Sequence, residues 1–290
     1  NALNFILAYL KRWPINTQII SSTNLKPSLN SRGHSMNKLK FYLGSHVTNH
    51  VEKTNVPLFI SYRTLRKRKS KPFNQTAPLA IDSGGFTELN LNGKWTISPN
   101  EYNSKLIHLT DLGLNIEWAS QQDYMCEPFV LEKTRMTIKQ HQKLTTQNYL
   151  NLLDLDSPIH YTPVLQGFEL NDYINHFHQF KDHGIDLTKQ KIVGVGSVCR
   201  RQSTDEIKDI FQQLSSMNIN LHGFGVKTNG LKKYSQFLTS CDSLAWSFAA
   251  RRLNQKCNFC QFTKTKNCAN CLNYALQWRE KMLDKTGVLL

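Results

Sequence analysis

Short apolar runs alternate along this chain with longer stretches whose apolar residues recur at helical spacing. The runs are Phe41–Ser45, Pro57–Tyr62, Pro78–Asp82, Asn115–Ala119, Tyr161–Leu165, Lys191–Gly196, Leu221–Val226 and Ser243–Trp246. Each has strand length, and helical patterns lie between most of them, at Pro99–Leu112, Glu132–Leu153, Leu170–His183, Thr204–Met217 and Gly230–Thr239. Ser203 or Thr204 can cap the fourth helix, and Asp205 and Glu206 suit its positive end. Eight strand–helix units in about 250 residues predict an α/β fold, a (β/α)8 TIM-type barrel, with a doubly wound open sheet as the alternative. No period of 20–50 residues repeats, which excludes solenoids and propellers.

The polar residues that end these runs give the pattern its functional interest. Asp82 ends the third run, Gln121, Gln122 and Asp123 follow the fourth, and Gln166 ends the fifth. Gly196 and Ser197 end the sixth, ahead of Arg200 and Arg201, and Lys227 ends the seventh. In a (β/α)8 barrel these positions converge on the rim where active sites lie. Asp242 falls just before the apolar part of the eighth run, so its direction is less well specified.

Charge adds a partner. The chain of 290 residues carries 36 Lys plus Arg against 21 Asp plus Glu, a net charge of +15. Residues 1–75 hold thirteen of the basic residues and a single acid, Glu52. Such an excess suits a polyanion, because each neutralised phosphate releases counterions. Arg63, Arg66, Lys67, Arg68 and Lys69 follow the second run, and together with Arg200, Arg201 and Lys227 they are the candidate nucleic-acid contacts. Residues 1–35 read as a basic N-terminal extension and residues 36–290 as the barrel. No apolar run approaches the roughly 20 residues that span a bilayer, and no signal-peptide pattern is visible, so a cytoplasmic protein without membrane association is expected.

Cysteine spacing implies a metal. Cys257, Cys260, Cys268 and Cys271 form C-x2-C-x7-C-x2-C, while Cys126, Cys199 and Cys241 are scattered. Two CxxC pairs supply four thiolates, a complete tetrahedral set for a structural Zn2+ that leaves no open position for water. Free thiols, a redox pair or an iron–sulfur cluster are the alternatives. The zinc-binding subdomain is expected over residues 253–285, with Lys256, Lys264 and Lys266 available to a phosphate backbone and a last helix over Leu272–Asp284.

Taken alone, Asp82-Ser83-Gly84-Gly85-Phe86 describes a strand end and a tight turn, and Asp82 could be an ordinary cap. The segment resembles, however, the DSGGF signature of the tRNA-guanine transglycosylase superfamily. The likeness continues in order through Gln122-Asp123-Tyr124-Met125-Cys126-Glu127-Pro128, Val164-Leu165-Gln166-Gly167, Val193-Gly194-Val195-Gly196-Ser197, His222-Gly223-Phe224-Gly225-Val226 and Cys241-Asp242-Ser243. It covers roughly residues 40–285. Two features depart from that superfamily's pattern. Four cysteines stand where three cysteines and a histidine are usual, and Trp246-Ser247 replaces a Pro-Thr-Arg after the second aspartate. The Asp-Tyr-Met-Cys-Glu-Pro and Gly-Ser-Val-Cys-Arg-Arg segments look closest to the DpdA branch, which acts on DNA in phages and bacteria. For a phage-encoded chain, the compartment would be the host cytoplasm.

The resemblance implies a pentosyltransferase that exchanges guanine in DNA for a free 7-deazaguanine base, 7-cyano-7-deazaguanine by family analogy. Asp242 would be the nucleophile and Asp82 the proton carrier. Asp123 would accept from the guanine edge, with Gln166 and the Gly196 amide at O6 and Phe86 or Phe224 stacking on the base. Ser83 and Gly84 would belong to the same substrate site. A tRNA substrate is the first alternative, and a non-catalytic nucleic-acid-binding barrel subunit is the second.

Overall fold

A computed structural model describes residues 39–261 and 264–287. The expected extension over residues 1–35 lies outside the described residues. Eight staves form the barrel. They are β1 (Lys40–Ser45), β2 (Leu58–Ser61), β3 (Leu79–Asp82), β4 (Ile116–Ser120), β5 in two pieces (Tyr161–Thr162 and Val164–Leu165), β6 (Val193–Val195), β7 (Leu221–Gly223) and β8 (Ser240–Ser243). Every neighbouring pair is parallel, and β1 pairs with both β2 and β8. The ring passes through β5, whose first piece bonds β4 and whose second bonds β6. Pro163 separates the pieces because proline has no N–H to donate to the ladder, yet its carbonyl still accepts from the Gly194 amide at 2.9 Å. The (β/α)8 expectation holds, and no open sheet is formed.

Strand alternation sorts the side chains. Phe41, Leu43, Leu58, Ile60, Leu79 and Ile81 face outward into the main core with the helices. Tyr42, Phe59, Ala80 and Trp118 alternate with them and, with Ile192 and Phe224, form a separate apolar plug inside the barrel. The helix Asp205–Ser216 shows the helical counterpart of this rule. Ile207, Ile210, Phe211 and Leu214 lie on one face and are fully buried, and the Thr204 hydroxyl caps the helix by accepting from the Ile207 amide.

Three boundaries differ from the sequence pattern. The eighth strand is Ser240–Ser243 rather than Ser243–Trp246. The apolar Ala245-Trp246 begins the helix Ala245–Arg252, where Trp246 is buried and donates its indole N–H to the Gly44 carbonyl at 2.8 Å. Hydrophobicity therefore marked the helix, and the strand is polar because its inward residues serve the barrel mouth. The segment 132–153 is two helices, Pro128–Thr134 and Ile138–Leu153. Arg135 turns left-handed at φ 57°, and Thr137 with Gln140 forms a capping box that starts the second helix. The helix expected over 230–239 is Thr228–Tyr234, followed by a 3-10 turn.

Candidate active site

The period of two that fills the barrel also aims the polar residues. Asp82 lies two residues beyond Ala80, Ser120 two beyond Trp118 and Phe224 two beyond His222. Asp242 lies two beyond Ser240, with the outward Cys241 between them buried in the main core. On β3 and β4 the inward face therefore changes from apolar plug to polar floor in one step toward the C-terminal rim, whereas β7 runs from His222 to Phe224 and β8 is polar at both positions. There a cavity of about 260 Å³ opens, lined among others by Asp82, Asp123, Gln166, Gly196, Phe224 and Asp242. Phe86, 38% exposed, stands at its edge.

Three carboxyl groups interact across this cavity. Burial raises the Asp82 carboxyl above its ordinary value, hydrogen bonds from the Gly84 amide and the Ser61 hydroxyl oppose the shift, and the negative charge of Asp242 adds to it. Burial, with the charge of Asp82, pushes Asp123 up to about 7, against the lowering effect of a Gln166 hydrogen bond. Asp242 accepts the Gly225 amide on Oδ1 at 2.9 Å. Ser83 does not line the cavity. Its amide donates to the Ser120 hydroxyl at 2.8 Å and its own hydroxyl approaches Asp123 Oδ1 at 3.4 Å, so it acts behind Asp123. Gly84 caps the following helix at φ 87°, and a Cβ there would meet the Arg63 side chain at 2.7 Å.

Gln166 is fully buried and held at both ends. Its amide nitrogen donates to Asp123, and its carbonyl accepts the Ser197 hydroxyl at 2.7 Å. The Gly196 amide is engaged with the Leu165 carbonyl at 3.0 Å, so it has no N–H left for the base O6. What Gly196 supplies is room, since a Cβ would lie 2.1 Å from the Gln166 side chain. Glu127 and Ser197 complete the floor. Both line the cavity, and Ser197 Oγ sits 3.0 Å from Glu127 and accepts the Cys126 amide at 2.7 Å. Ser197 holds φ 57°, an uncommon conformation for a non-glycine residue. Both residues stood within the quoted motif segments, but nothing in the one-dimensional pattern assigned them a role.

The basic candidates divide into two groups. Arg63 and Arg66 are both tied to Glu88, a carboxylate 1% exposed that also accepts from Asn92 and Thr96. Arg68 bonds the Lys71 and Pro72 carbonyls and stacks on Phe73. Arg201 stacks on Phe168 and pairs with Glu206 at 2.8 Å. These guanidinium groups hold loops in place. Lys67, Lys69, Arg200 and Lys227 are exposed. Replacing Glu88 with Ala should lower stability by about 3 kcal/mol, because it leaves part-buried Arg63 without a counter-charge; the urea unfolding midpoint reads this directly.

The cavity continues into a second groove past His46, Phe86, Cys199, Gly225 and Leu244. Arg200, Lys227, Phe248 and Arg251 line its far part, and Phe248 is 65% exposed. The last two residues belong to the helix Ala245–Arg252, whose pattern the expected strand at 243–246 had concealed.

Beyond that helix, Cys257, Cys260, Cys268 and Cys271 place their sulfurs within 4.8 Å of one another. Close pairs stand at 3.4, 3.6 and 3.8 Å, near the roughly 3.8 Å edge of a tetrahedron with zinc–sulfur bonds of about 2.3 Å. In each CxxC turn the second amide donates to the first carbonyl, Cys260 to Cys257 and Cys271 to Cys268. The Cys257 amide also donates to Cys268 Sγ at 3.2 Å. None of the four forms a disulfide, and the set could hold a metal ion.

A parallel α/β barrel with carboxylates gathered at its C-terminal mouth and a cysteine site after its last strand fits the transglycosylase superfamily that the sequence resembles. The family model of DpdA, DeoxyPurine in DNA protein A, matches residues 36–289, and the chain belongs to that family. No curated protein matches the chain. Its role is accordingly of the transglycosylase type, in 7-deazaguanine modification of DNA. No described helix is long and apolar enough to cross a membrane.

Proposed function

We propose that this protein replaces guanine in DNA with a free 7-deazaguanine, 7-cyano-7-deazaguanine by family analogy, through a covalent glycosyl intermediate on Asp242. The observation that carries this reading is the meeting of Asp82, Asp123 and Asp242 over one cavity, with the charge of Asp242 felt at Asp82. Breaking the bond between C1′ and N9 leaves an oxocarbenium-like centre, for which a carboxylate is a suitable partner. An Asp242 oxygen bonds C1′ as the electron pair of the C1′–N9 bond departs with guanine. Asp82, whose burial favours the protonated carboxyl, donates a proton to the departing base. In the second half Asp82 takes the N9 proton of the incoming base. N9 then bonds C1′ and the Asp242 carboxylate is released.

Asp123 accepts from the N1–H and 2-amino edge of the base, and the second N–H of Gln166 reaches O6. Phe224 or Phe86 stacks on the ring. The target nucleotide leaves the helix stack or is single-stranded. Its flanking strand follows the groove of Arg200, Lys227, Phe248 and Arg251, while Lys67 and Lys69 contact phosphates farther along. The four cysteines hold a structural Zn2+. The N-terminal boundary of the catalytic unit lies near residue 36, with a basic extension before it.

The test is direct. Purified protein is incubated with isotope-labelled 7-cyano-7-deazaguanine and either DNA or tRNA, and the digested nucleosides are read by mass spectrometry. Label in deoxynucleosides is expected; label confined to tRNA nucleosides, or to neither, overturns the proposal.

Asp123 adds a pH prediction. Only its carboxylate accepts two base N–H groups, and its proton leaves near pH 7. The KM for the free base should fall as pH rises from 6 to 8 and then level off. Asp123→Asn should raise that KM and abolish the dependence. The same shift acts on folding. The group binds its proton more tightly folded than unfolded, so its contribution to stability is lost between about pH 4 and pH 7 as pH rises.

A further inference from the structure

His222 lies inside the barrel on β7, with no exposed surface. The rings of Trp118 and Phe224 stand edge-on at 4.9 and 4.8 Å, and Phe59 and Tyr42 close the remaining sides at 5.5 and 6.1 Å. A polar ring in such a cage needs partners for both nitrogens. Nδ1 has one, the Ser240 hydroxyl at 2.7 Å. Nε2 has no hydrogen-bond partner, and it lies 3.4 Å from Asp242 Oδ1, close enough for a donor contact once the ring or the carboxylate turns slightly. The Ser240 hydroxyl makes no other hydrogen bond among the described residues, so its proton goes to Nδ1. The ring proton then sits on Nε2, facing Asp242.

We infer that His222 is a positioning residue for Asp242, presenting its Nε2–H to Oδ1 from beneath the cavity floor. This rests on the proposed nucleophile. Oδ1 would then be fixed by two donors, the Gly225 amide and His222. A carboxylate held by one oxygen turns the other, Oδ2, toward C1′. The aromatic cage gives this contact its value, because it holds the His222 ring and keeps water from its nitrogens. His222 itself touches neither base nor sugar and does not line the cavity.

Two variants separate positioning from packing. The amide nitrogen of Gln can occupy the place of Nε2, whereas that of Asn reaches only the place of Nδ1. His222→Gln should form the covalent DNA adduct within about threefold of the wild-type rate. His222→Asn should form it on the order of 10–100-fold more slowly, the scale of a small misplacement of a reacting group. The KM for the free base should be alike in both, and both should melt at similar temperatures. Equal adduct rates for the two variants overturn the inference, as does a loss in His222→Asn matched by an equal fall in base binding. Asp242→Ala serves as the control for the underlying reading. If it still traps DNA, the nucleophile assignment fails. If it loses trapping while His222→Asn keeps the wild-type rate, only the positioning role fails.

Discussion

Asp242→Ala is expected to abolish the covalent protein–DNA adduct on a denaturing gel and to reduce base exchange by at least about 10⁴-fold, the scale on which enzymes lose an essential nucleophile. In free energy this is roughly 5.5 kcal/mol of transition-state stabilisation. Little of the loss should come from unfolding. The side chain makes one backbone hydrogen bond, from Gly225, whose net worth is about 1 kcal/mol, and removing a carboxylate from a group of three relieves repulsion. Unchanged melting with no adduct is thus the expected pair of results. Asp82→Asn should behave differently. It keeps a side chain of the same shape where the Gly84 amide and Ser61 hydroxyl reach Asp82 but has no acidic proton, so adduct formation should slow by about 10²–10⁴-fold without vanishing. The two aspartates are distinguished by this contrast. An adduct that survives in Asp242→Ala and disappears in Asp82→Asn would exchange their roles.

Much of this arrangement was legible because barrel strands obey a short rule. An apolar run with a polar residue at its end predicts a strand with a group on the rim, and the rule placed Asp82, Asp123, Gln166 and Gly196 around one opening. It failed at β8, where Ser240-Cys241-Asp242-Ser243 contains a single apolar residue. A strand whose inward positions are His-bonded Ser240 and Asp242 has no hydrophobic signature on that face, and pairing with β1 and β7 holds it in place instead. The same misreading hid Phe248 and Arg251, since a helix starting at Ala245 was not expected there. Side-chain partnership was the other blind spot. Arg63, Arg66 and Arg201 look like free cations in sequence, but their acids lie on distant turns or later helices. Glu88 is 25 residues from Arg63, and no periodic pattern links them. Likewise the Gly196 amide looked available until the ladder engaged it, and the reason for a glycine there, room beside the Gln166 side chain, is a cross-strand contact that the sequence does not display.

Loss of the metal proposed for the cysteine site should disconnect nucleic-acid binding from base binding. The cysteine turns do not touch the cavity; they brace the groove beside it. Ser247 of the helix Ala245–Arg252 donates to the Ala269 carbonyl at 2.8 Å, inside the Cys268–Cys271 turn. Ala250 of the same helix packs against Cys257, Cys268 and Ala269, and Asn270 contacts His46 after β1. The helix so held presents Phe248 and Arg251. Cys268 is fully buried at the centre, and its sulfur accepts the Cys257 amide. Cys268→Ser replaces a soft thiolate with a hydroxyl that binds zinc poorly. Elemental analysis should find about one zinc per chain in the wild type, in a 4:1 ratio of thiolate to metal, and well under half of that in the variant. Limited proteolysis should then cut between residues 253 and 272. DNA affinity should fall by about tenfold or more, the weight of one or two stacking and phosphate contacts. Binding of the free base should stay within about twofold, because Asp123 and Gln166 follow β4 and β5, across the barrel from this helix. A variant that keeps its metal, or one that loses base and DNA binding together, would show that the cysteine site supports the whole barrel rather than the groove.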